Sequence, residues 1–341
     1  MWSIPVPLRS GEILSSWLVR SALALGCEPL SLTSVIWPTR RVWTTDIDRR
    51  LSDDCLAMLC DRSGQDTASL VDATLYPMAS MIAAPGNLSI HRIWPWVLAL
   101  GARNTRRRGG LQYCPLCLTE SDLPHFHRES RLAWHVACKQ HHCLLLDCCY
   151  RCGAALEPQR LKATDCHVAI CATCKADLRN ATSGAPLEDA LAFQMMADKW
   201  AASTVGRTKQ IGENVHDRFY QAKFLIGLLR QARAGKRGAL FDQVRSRESA
   251  LCNAGSLDGG LAFELLSVGE RMALLAAVWR LMRFEEENGS LANTVQRSSR
   301  PHISGRCRAR TKAPCAHRVC TRRVVERSME RLKRKVVRRA P

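Results

Sequence analysis

Four pairs of candidate metal ligands lie within residues 114–174, and two residues separate the members of each pair. The pairs are Cys114 with Cys117, Cys138 with His141, Cys149 with Cys152, and Cys171 with Cys174. A two-residue gap lets a tight turn direct both side chains at one ion, and two such turns complete a tetrahedron. In chain order, the pairs predict one site of three cysteines and one histidine, followed by one site of four cysteines. Because neither site has an open position, we predict two structural zinc ions and no catalytic metal.

Disulfide bonds and redox chemistry fit the cysteines less well than zinc does. Disulfide bonds require an oxidising compartment, and the N-terminal residues show no secretory pattern. A redox CxxC is expected once, in a thioredoxin-like βαβ context that is not recognisable here. The choice of ligands stays open, because further cysteines and histidines lie beside the preferred ones. These neighbours are His142, Cys143, Cys148, Cys166 and His167. We prefer the residues that preserve the two-residue gap, and we interpret the extra cysteines as small buried apolar residues or reserve thiols.

The positive charge of the chain is concentrated near its C-terminus. Residues 295–341 contain 16 Lys and Arg and two acidic residues, so they carry +14 of the total net charge of +19. The rest of the chain is only mildly basic, whereas this tail can attract nucleic acid. The tail is either a nucleic-acid-binding arm or a disordered basic coil. We favour the disordered coil, because the helical pattern of apolar residues stops abruptly at about residue 294.

The remaining sequence predicts a mainly α-helical protein. Apolar residues recur at helical spacing over residues 13–25, 47–60, 187–202, 215–233 and 263–284. We therefore predict a helical N-terminal domain over residues 1–110, a tandem zinc module over 111–180, a helical C-terminal domain over 181–293, and a basic, disordered tail over 294–341. No apolar run approaches the roughly 18 residues that a membrane span needs, which predicts a soluble, cytoplasmic protein.

The N-terminal domain contains a candidate helix-turn-helix. Residues 62–65 include Gly64 and turn the chain, and Asp66 can cap a second helix that runs through Leu75 before Pro77. A helix that reads bases should offer Arg, Lys, Asn or Gln, but this second helix contains Asp66 and Asp72 and no Lys or Arg. A protein-facing or purely structural role is therefore preferred to DNA reading.

A cluster of basic residues leads into the first ligand pair. It comprises Arg103, Arg106, Arg107 and Arg108. A solvated linker and a phosphate-binding segment are equally consistent with this composition, although the position beside a zinc module suits phosphate contacts. The cluster is therefore our candidate nucleic-acid-binding site within the body of the chain, and it should bind DNA weakly, non-specifically and in a salt-dependent way.

No catalytic arrangement is recognisable. The sequence lacks a GxxxxGK[ST] phosphate-binding loop, an HExxH helix and a GxSxG elbow. Four histidines near the zinc pairs are candidates for an open metal site, namely His125, His127, His135 and His142. No matched carboxylate base accompanies them, so a zinc hydrolase is the weakest of the functions considered.

The N-terminal residues resemble the start of the TniQ/TnsD family of transposition proteins. That start reads Pro-x-Pro, then Gly-Glu, then Ser-Trp-Leu-x-Arg. The matching residues here are Pro5, Pro7, Gly11, Glu12, Ser16, Trp17, Leu18 and Arg20. The family's CPxCL knuckle resembles residues 113–118, and its middle motif resembles residues 131–146, which include Arg131-Leu-Ala-Trp134. A second knuckle matches residues 149–153, and a C-terminal stretch matches residues 263–282. The resemblance covers about residues 4–288 and does not extend into the tail.

The resemblance implies a non-enzymatic factor that selects a transposition target. Such proteins link a target site, or a complex that marks it, to an AAA+ ATPase that recruits the transposase. The alternative is an autonomous, zinc-dependent DNA-binding transcription regulator, which would need no such partner. Whether two copies act together stays open.

Trp2 is our candidate contact with the ATPase. Trp17 lies on the apolar face of the first predicted helix, and we assign it to the core. Trp2 lies outside any periodic pattern, in an N-terminal arm bounded by prolines, and Trp is frequent at interface hot spots. We expect a flexible arm, in which Trp2→Ala abolishes ATPase binding without lowering the melting temperature.

Overall fold

The structure is a computed structural model that describes residues 2–83, 87–89, 92–100, 110–202, 215–248 and 261–288. Within these ranges it contains ten α-helices and no β-strand, and the only extended pairing consists of isolated antiparallel bridges. The predicted mainly α-helical class is therefore confirmed. All described residues belong to one compact unit. The basic cluster at Arg103–Arg108 and the predicted tail lie outside the described residues, and the three inner domain boundaries stay predictions.

The helices fall into an N-terminal group, one short helix at the first ligand pair, and a C-terminal group. The N-terminal helices are α1 (Leu14–Ala24), α2 (Pro29–Ile36), α3 (Asp53–Ser63), α4 (Thr67–Asp72) and α5 (Tyr76–Ile82). The short helix is α6 (Pro115–Glu120). The C-terminal helices are α7 (Glu188–Ala202), α8 (Val215–Arg233), α9 (Ala239–Arg247) and α10 (Val268–Asn288).

Three helices agree closely with their apolar patterns, and two differ at their ends. Those predicted over residues 13–25, 187–202 and 215–233 are present as α1, α7 and α8. The helix predicted over residues 47–60 begins only at Asp53, because Ser52 caps it by accepting a hydrogen bond from the Cys55 amide. The helix predicted over residues 263–284 is preceded by a short 3-10 turn at Phe263–Leu265, and α10 then runs from Val268.

The second helix of the candidate helix-turn-helix is shorter than predicted. Gly64 ends α3 in the left-handed conformation (φ +71°), and Asp66 caps α4 through the Ser69 amide, as the sequence indicated. However, α4 ends at Asp72 and not at Leu75, because the Leu75 amide donates to the carbonyl of Asp48 outside the helix. Pro77 does not close this helix but lies in the first turn of α5, where a missing amide hydrogen costs little.

Two apolar clusters share the first helix. One face of α1, with Leu14, Trp17 and Leu18, packs against α2, α3 and α4. The opposite face, with Ile13 and Val19, belongs to a larger cluster that includes the zinc-ligand segment and α7, α8 and α10. The larger cluster therefore joins the N-terminal helices, the ligand-bearing loops and the C-terminal helices in one core.

Aromatic side chains lie at the centre of that core. The Trp96 ring packs against those of Trp134, Phe193, Phe219 and Phe263, with centroid separations of 5.4–6.3 Å. These five rings come from five separate parts of the sequence, so the core closes only when those parts fold together. No helix in the described part of the chain has both the length and the apolar composition to cross a bilayer.

Candidate metal centres

The first ligand set is brought together as the spacing predicted. The ligand atoms of Cys114, Cys117, Cys138 and His141 all lie within 4.8 Å of one another. His141 Nδ1 is 3.5 Å from the Cys114 and Cys138 sulfurs and 3.2 Å from that of Cys117. A tetrahedral zinc ion with Zn–S bonds of about 2.3 Å requires sulfurs about 3.8 Å apart, so this set has the size and chemistry for zinc.

The second set has the same dimensions. The sulfurs of Cys149, Cys152, Cys171 and Cys174 lie within 4.8 Å of one another. The Cys149 and Cys174 sulfurs are 3.6 Å apart, and those of Cys152 and Cys171 are 3.8 Å apart. Four sulfurs at tetrahedral separation are typical of a structural zinc site. The grouping of all eight predicted ligands is therefore observed, and zinc is the metal that it fits best.

Three of the four ligand pairs share one backbone turn. In each turn, the amide four residues after the first ligand donates to the carbonyl of that ligand. The amides are those of His142, Gly153 and Lys175, and their N–O distances are 2.9–3.0 Å. These same three residues have positive φ values of 50°, 69° and 59°. The repeated turn aims each pair of side chains at a common point, which explains why the two-residue gap is required.

The first pair is held differently. Cys114 is the N-cap of α6, and its sulfur accepts a hydrogen bond from the Cys117 amide at 3.5 Å. Pro115 follows at the first helical position, where its fixed φ suits the start of a helix. The Cys114-Pro-x-Cys117 motif is therefore a helix start, and both thiols lie at the end of α6 that favours negative charge.

The neighbouring cysteines and histidines do not complete either set. Cys143 Sγ lies 3.5 Å from Cys114 Sγ, but Cys143 is not part of the four-ligand cluster. His142 is exposed and serves the turn through its backbone, and Cys166 is also exposed. Among the described residues, the two predicted clusters are the only groups of three or more side chains suited to hold a metal. The arrangement therefore favours the residues that keep the two-residue gap.

The other histidines of the described residues do not form an open metal site. His135 is buried, and its Nε2 lies 2.8 Å from Asp198 Oδ1 on α7. The rings of His125 and His127 are 4.7 Å apart in a cleft beside the first cluster. Neither belongs to a group of three or more ligands in the part of the chain that the structure describes. The arrangement thus gives no support to the zinc hydrolase considered from the sequence.

Residues outside the ligand pairs fix the first cluster. Glu120, at the end of α6, places a carboxylate oxygen 2.8 Å from His141 Nε2, where it can orient the imidazole for binding through Nδ1. Arg271 on α10 is fully buried and donates to the carbonyl of Ala133 and to Gln112 Oε1. Burial lowers the pKa of Arg271 to about 10. These long-range supports carry no local pattern, and the sequence interpretation missed them.

The N-terminal Gly-Glu and Ser-Trp-Leu-x-Arg motifs form a buried polar hub. Glu12 accepts from Arg20 at 2.6 Å and 2.9 Å and from the Ser16 hydroxyl at 3.0 Å. The Ser16 hydroxyl in turn accepts a hydrogen bond from the Phe126 amide, which lies between the first two ligand pairs. Gly11 adopts φ +71° and its carbonyl accepts from the Arg128 amide. The hub therefore fastens α1 to the loop of the first metal centre.

A second buried ion pair lies in the middle motif. The Arg131 guanidinium is fully buried and donates to Asp46 at 2.6 Å and to Asp48 at 2.7 Å. Burial raises the pKa of Asp48 to about 6, and the adjacent charge of Arg131 opposes this rise. Asp48 also accepts from the amide and hydroxyl of Ser15. Arg131 lies between the first two ligand pairs, and its bonds to Asp46 and Asp48 connect that segment to the loop before α3. Asp48 then connects the same loop to α1 through Ser15.

The N-terminal arm is held in place, which corrects the expectation that it is flexible. The Trp2 amide donates to the carbonyl of Arg62 at 2.8 Å, and the Trp2 and Trp17 rings are 5.3 Å apart. Trp17 Nε1 donates to the carbonyl of Val6, and Arg20 donates to that of Pro7. Trp2 is half-buried against the smaller core. Its substitution by alanine is therefore expected to lower stability, contrary to the expectation from the sequence.

The TniQ family model matches residues 4–145 of the chain. The matched region contains the Glu12 hub, the Arg131 ion pair and the first ligand set, and it ends before the second set at Cys149. No curated protein matches the sequence significantly. The match agrees with the resemblance of the N-terminal and knuckle motifs, and a TniQ domain implies a role in transposition. Residues 4–145 therefore match a TniQ domain, and this domain implies a transposition-associated accessory protein.

Proposed function

We propose that this chain is a non-catalytic factor that selects or marks a transposition target and recruits an AAA+ ATPase, and through it the transposase. The observation that carries the proposal is the TniQ domain over residues 4–145. The chemistry of the ligand sets supports it, since each supplies four protein ligands to one ion and leaves no position for substrate. We propose that zinc, when bound, stabilises the loops of the two centres.

The nucleic-acid contacts predicted from the sequence remain part of the proposal. The Arg103–Arg108 cluster and the basic tail lie outside the described residues, and we propose that they bind phosphates without base specificity. Target DNA, or a complex that marks it, is the second partner. The described residues of α4 contain no Lys or Arg, which favours a protein-facing role for the candidate helix-turn-helix.

Co-purification with the AAA+ ATPase tests the proposal. The tagged full chain is incubated with a transposition AAA+ ATPase, with ATP and DNA each present or omitted, and the bound fraction is measured. We expect the ATPase to be retained by this chain and not by an unrelated zinc protein of similar charge. A DNA-binding transcription regulator would retain target DNA without the ATPase, so that result would favour the alternative function.

A pair of substitutions in the N-terminal arm tests its contact with the ATPase. Trp2→Ala should reduce ATPase retention, but it should also lower the melting temperature by several degrees, because it removes a ring packed on Trp17. Ile4 is 48% exposed in the same arm. Ile4→Ser should therefore reduce ATPase retention with little change in melting temperature. If Ile4→Ser binds normally and Trp2→Ala loses binding only in proportion to its loss of stability, the arm is not the contact.

A further inference from the structure

Two pairs of consecutive helices differ sharply in charge. The α3–α4 pair, residues 53–72, contains five Asp and one Arg and has a net charge of −4. The α8–α9 pair, residues 215–248, contains eight Lys and Arg and three acidic residues and has a net charge of +5. A basic turn therefore joins α8 to α9, and positive charge of this kind attracts polyanions. Neither the TniQ match nor the sequence motifs include this turn.

The α8–α9 turn has a defined backbone. The Lys236 amide donates to the carbonyl of Gln231, and the Gly235 amide donates to that of Ala232, both at 3.1 Å. Together with the positive φ of Gly235 (+78°), these two bonds form a Schellman motif, which ends α8 and reverses the chain. Gly238 follows with φ +131° and precedes the first turn of α9. The basic turn is therefore built by the backbone and does not depend on its charged side chains.

Arg245 on α9 holds the turn from the other side. Its Nη1 donates to the carbonyls of Ala232 and Lys236, at 2.9 Å and 2.8 Å, and its Nη2 pairs with Asp242. This guanidinium satisfies carbonyls at the C-terminal end of α8, where positive charge is favourable. The turn is thus fixed at both ends, so binding a ligand there would require little ordering of the backbone.

The exposed charges of the turn are Lys236 and Arg237. Both residues are exposed, and so are Ala234, Gly235 and Gly238 beside them. Lys236 Nζ donates to Gln231 Oε1 at 2.7 Å and lies 4.9 Å from the centre of the Phe241 ring. Arg237 makes no ion pair with any described residue. No side-chain hydrogen bond caps the start of α9, whose N-cap residue is Gly238 of the turn.

We propose that the α8–α9 turn binds the phosphate backbone of duplex DNA through Lys236 and Arg237. The net positive charge of the α8–α9 pair is complementary to a polyanion, and the small residues beside Lys236 and Arg237 leave both side chains accessible. Phosphate contacts position a protein on DNA without reading its sequence. The turn therefore places the described body of the chain on DNA, separately from the Arg103–Arg108 cluster and the tail.

The test compares two double variants of the full chain. Lys236→Ala/Arg237→Ala removes the two exposed charges of the turn, and Arg41→Ala/Arg62→Ala removes two exposed charges elsewhere, one of them on the acidic α3. Binding to a random 30-base-pair duplex is measured by fluorescence anisotropy at several salt concentrations. Two lost phosphate contacts should weaken binding several-fold and reduce the slope of log K against log salt by about 2. The control should have the wild-type slope.

Photo-crosslinking provides an independent measurement. A benzophenone side chain introduced at position 237 should capture DNA, whereas the same side chain at position 62 should not. Unchanged affinity and slope in the turn variant, or an equal loss in the control, would overturn the proposal. Because neither measurement involves the ATPase, failure here would leave the proposed recruitment function intact, and failure of ATPase retention would leave this DNA contact intact.

Discussion

Purified protein is expected to hold two zinc ions per chain, and Cys171→Ser should reduce this number to one. Cys171 contributes a buried sulfur 3.8 Å from that of Cys152, and its loss leaves three thiols and one position for water, which weakens zinc binding. Binding and folding are one equilibrium in such sites, with apparent zinc-binding free energies of about 10–16 kcal/mol in zinc-finger peptides. We therefore expect the turns at residues 149–152 and 171–174 to lose protection from proteolysis. Elemental analysis and limited proteolysis measure the two effects.

Cys166→Ser is the matched control for this loss. Cys166 lies between the same ligand pairs in sequence, but it is exposed and outside the cluster. Its replacement should leave two zinc ions bound and the proteolysis pattern unchanged. A wild-type content of one zinc ion, or an equal loss from the Cys166 variant, would show that the four-cysteine set is assigned incorrectly.

Glu12→Ala is expected to reduce the free energy of unfolding by about 3–5 kcal/mol. The substitution leaves the Arg20 charge without its carboxylate in a site where the Arg20 side chain is only 9% exposed. It also removes the acceptor of the Ser16 hydroxyl, and Ser16 is the contact with the Phe126 amide. Denaturant unfolding monitored by tryptophan fluorescence measures the loss.

Glu28→Ala is the control for the Glu12 substitution. Glu28 pairs with Lys162 at 3.1 Å, but the side chains are 39% and 60% exposed. Exposed pairs contribute about 0–1 kcal/mol, so this variant should unfold close to the wild type. Similar losses from the two substitutions would mean that the buried hub is not a main support of the domain.

The ligand sets could be predicted because the two members of each pair lie close together in the sequence. A two-residue gap lets each pair of side chains reach one ion, and four successive pairs specify two tetrahedra in chain order, so no knowledge of the remaining fold was needed. The same reasoning placed α1, α7 and α8, whose apolar faces repeat at helical spacing over more than ten residues. The shared geometry of the turns could not be read from the sequence, because a glycine marks the positive φ only at Gly153. The equivalent residues of the other two turns are His142 and Lys175.

The supports of the site could not be predicted in this way. Arg131 lies 83 residues from Asp48 in sequence, and Arg271 lies 159 residues from Gln112. Nothing in a single sequence indicates which charged residues will be buried together at such separations. The short helices α2, α5 and α9 were missed because of their length. They have 7–9 residues, too few for an apolar repeat to stand out from the surrounding loops.

The contacts of Trp96 bear on how this protein can be divided into fragments. Trp96 lies in the TniQ domain, yet its backbone amide donates to Glu264 and its indole donates to the carbonyl of Phe219, both far beyond residue 145. A fragment cut at residue 145 would expose this ring and leave both donors without these acceptors. The region that matches the family, residues 4–145, therefore cannot bury its own core without the C-terminal helices. A chimera that exchanges residues 4–145 with another TniQ domain would therefore have to carry the C-terminal helices as well.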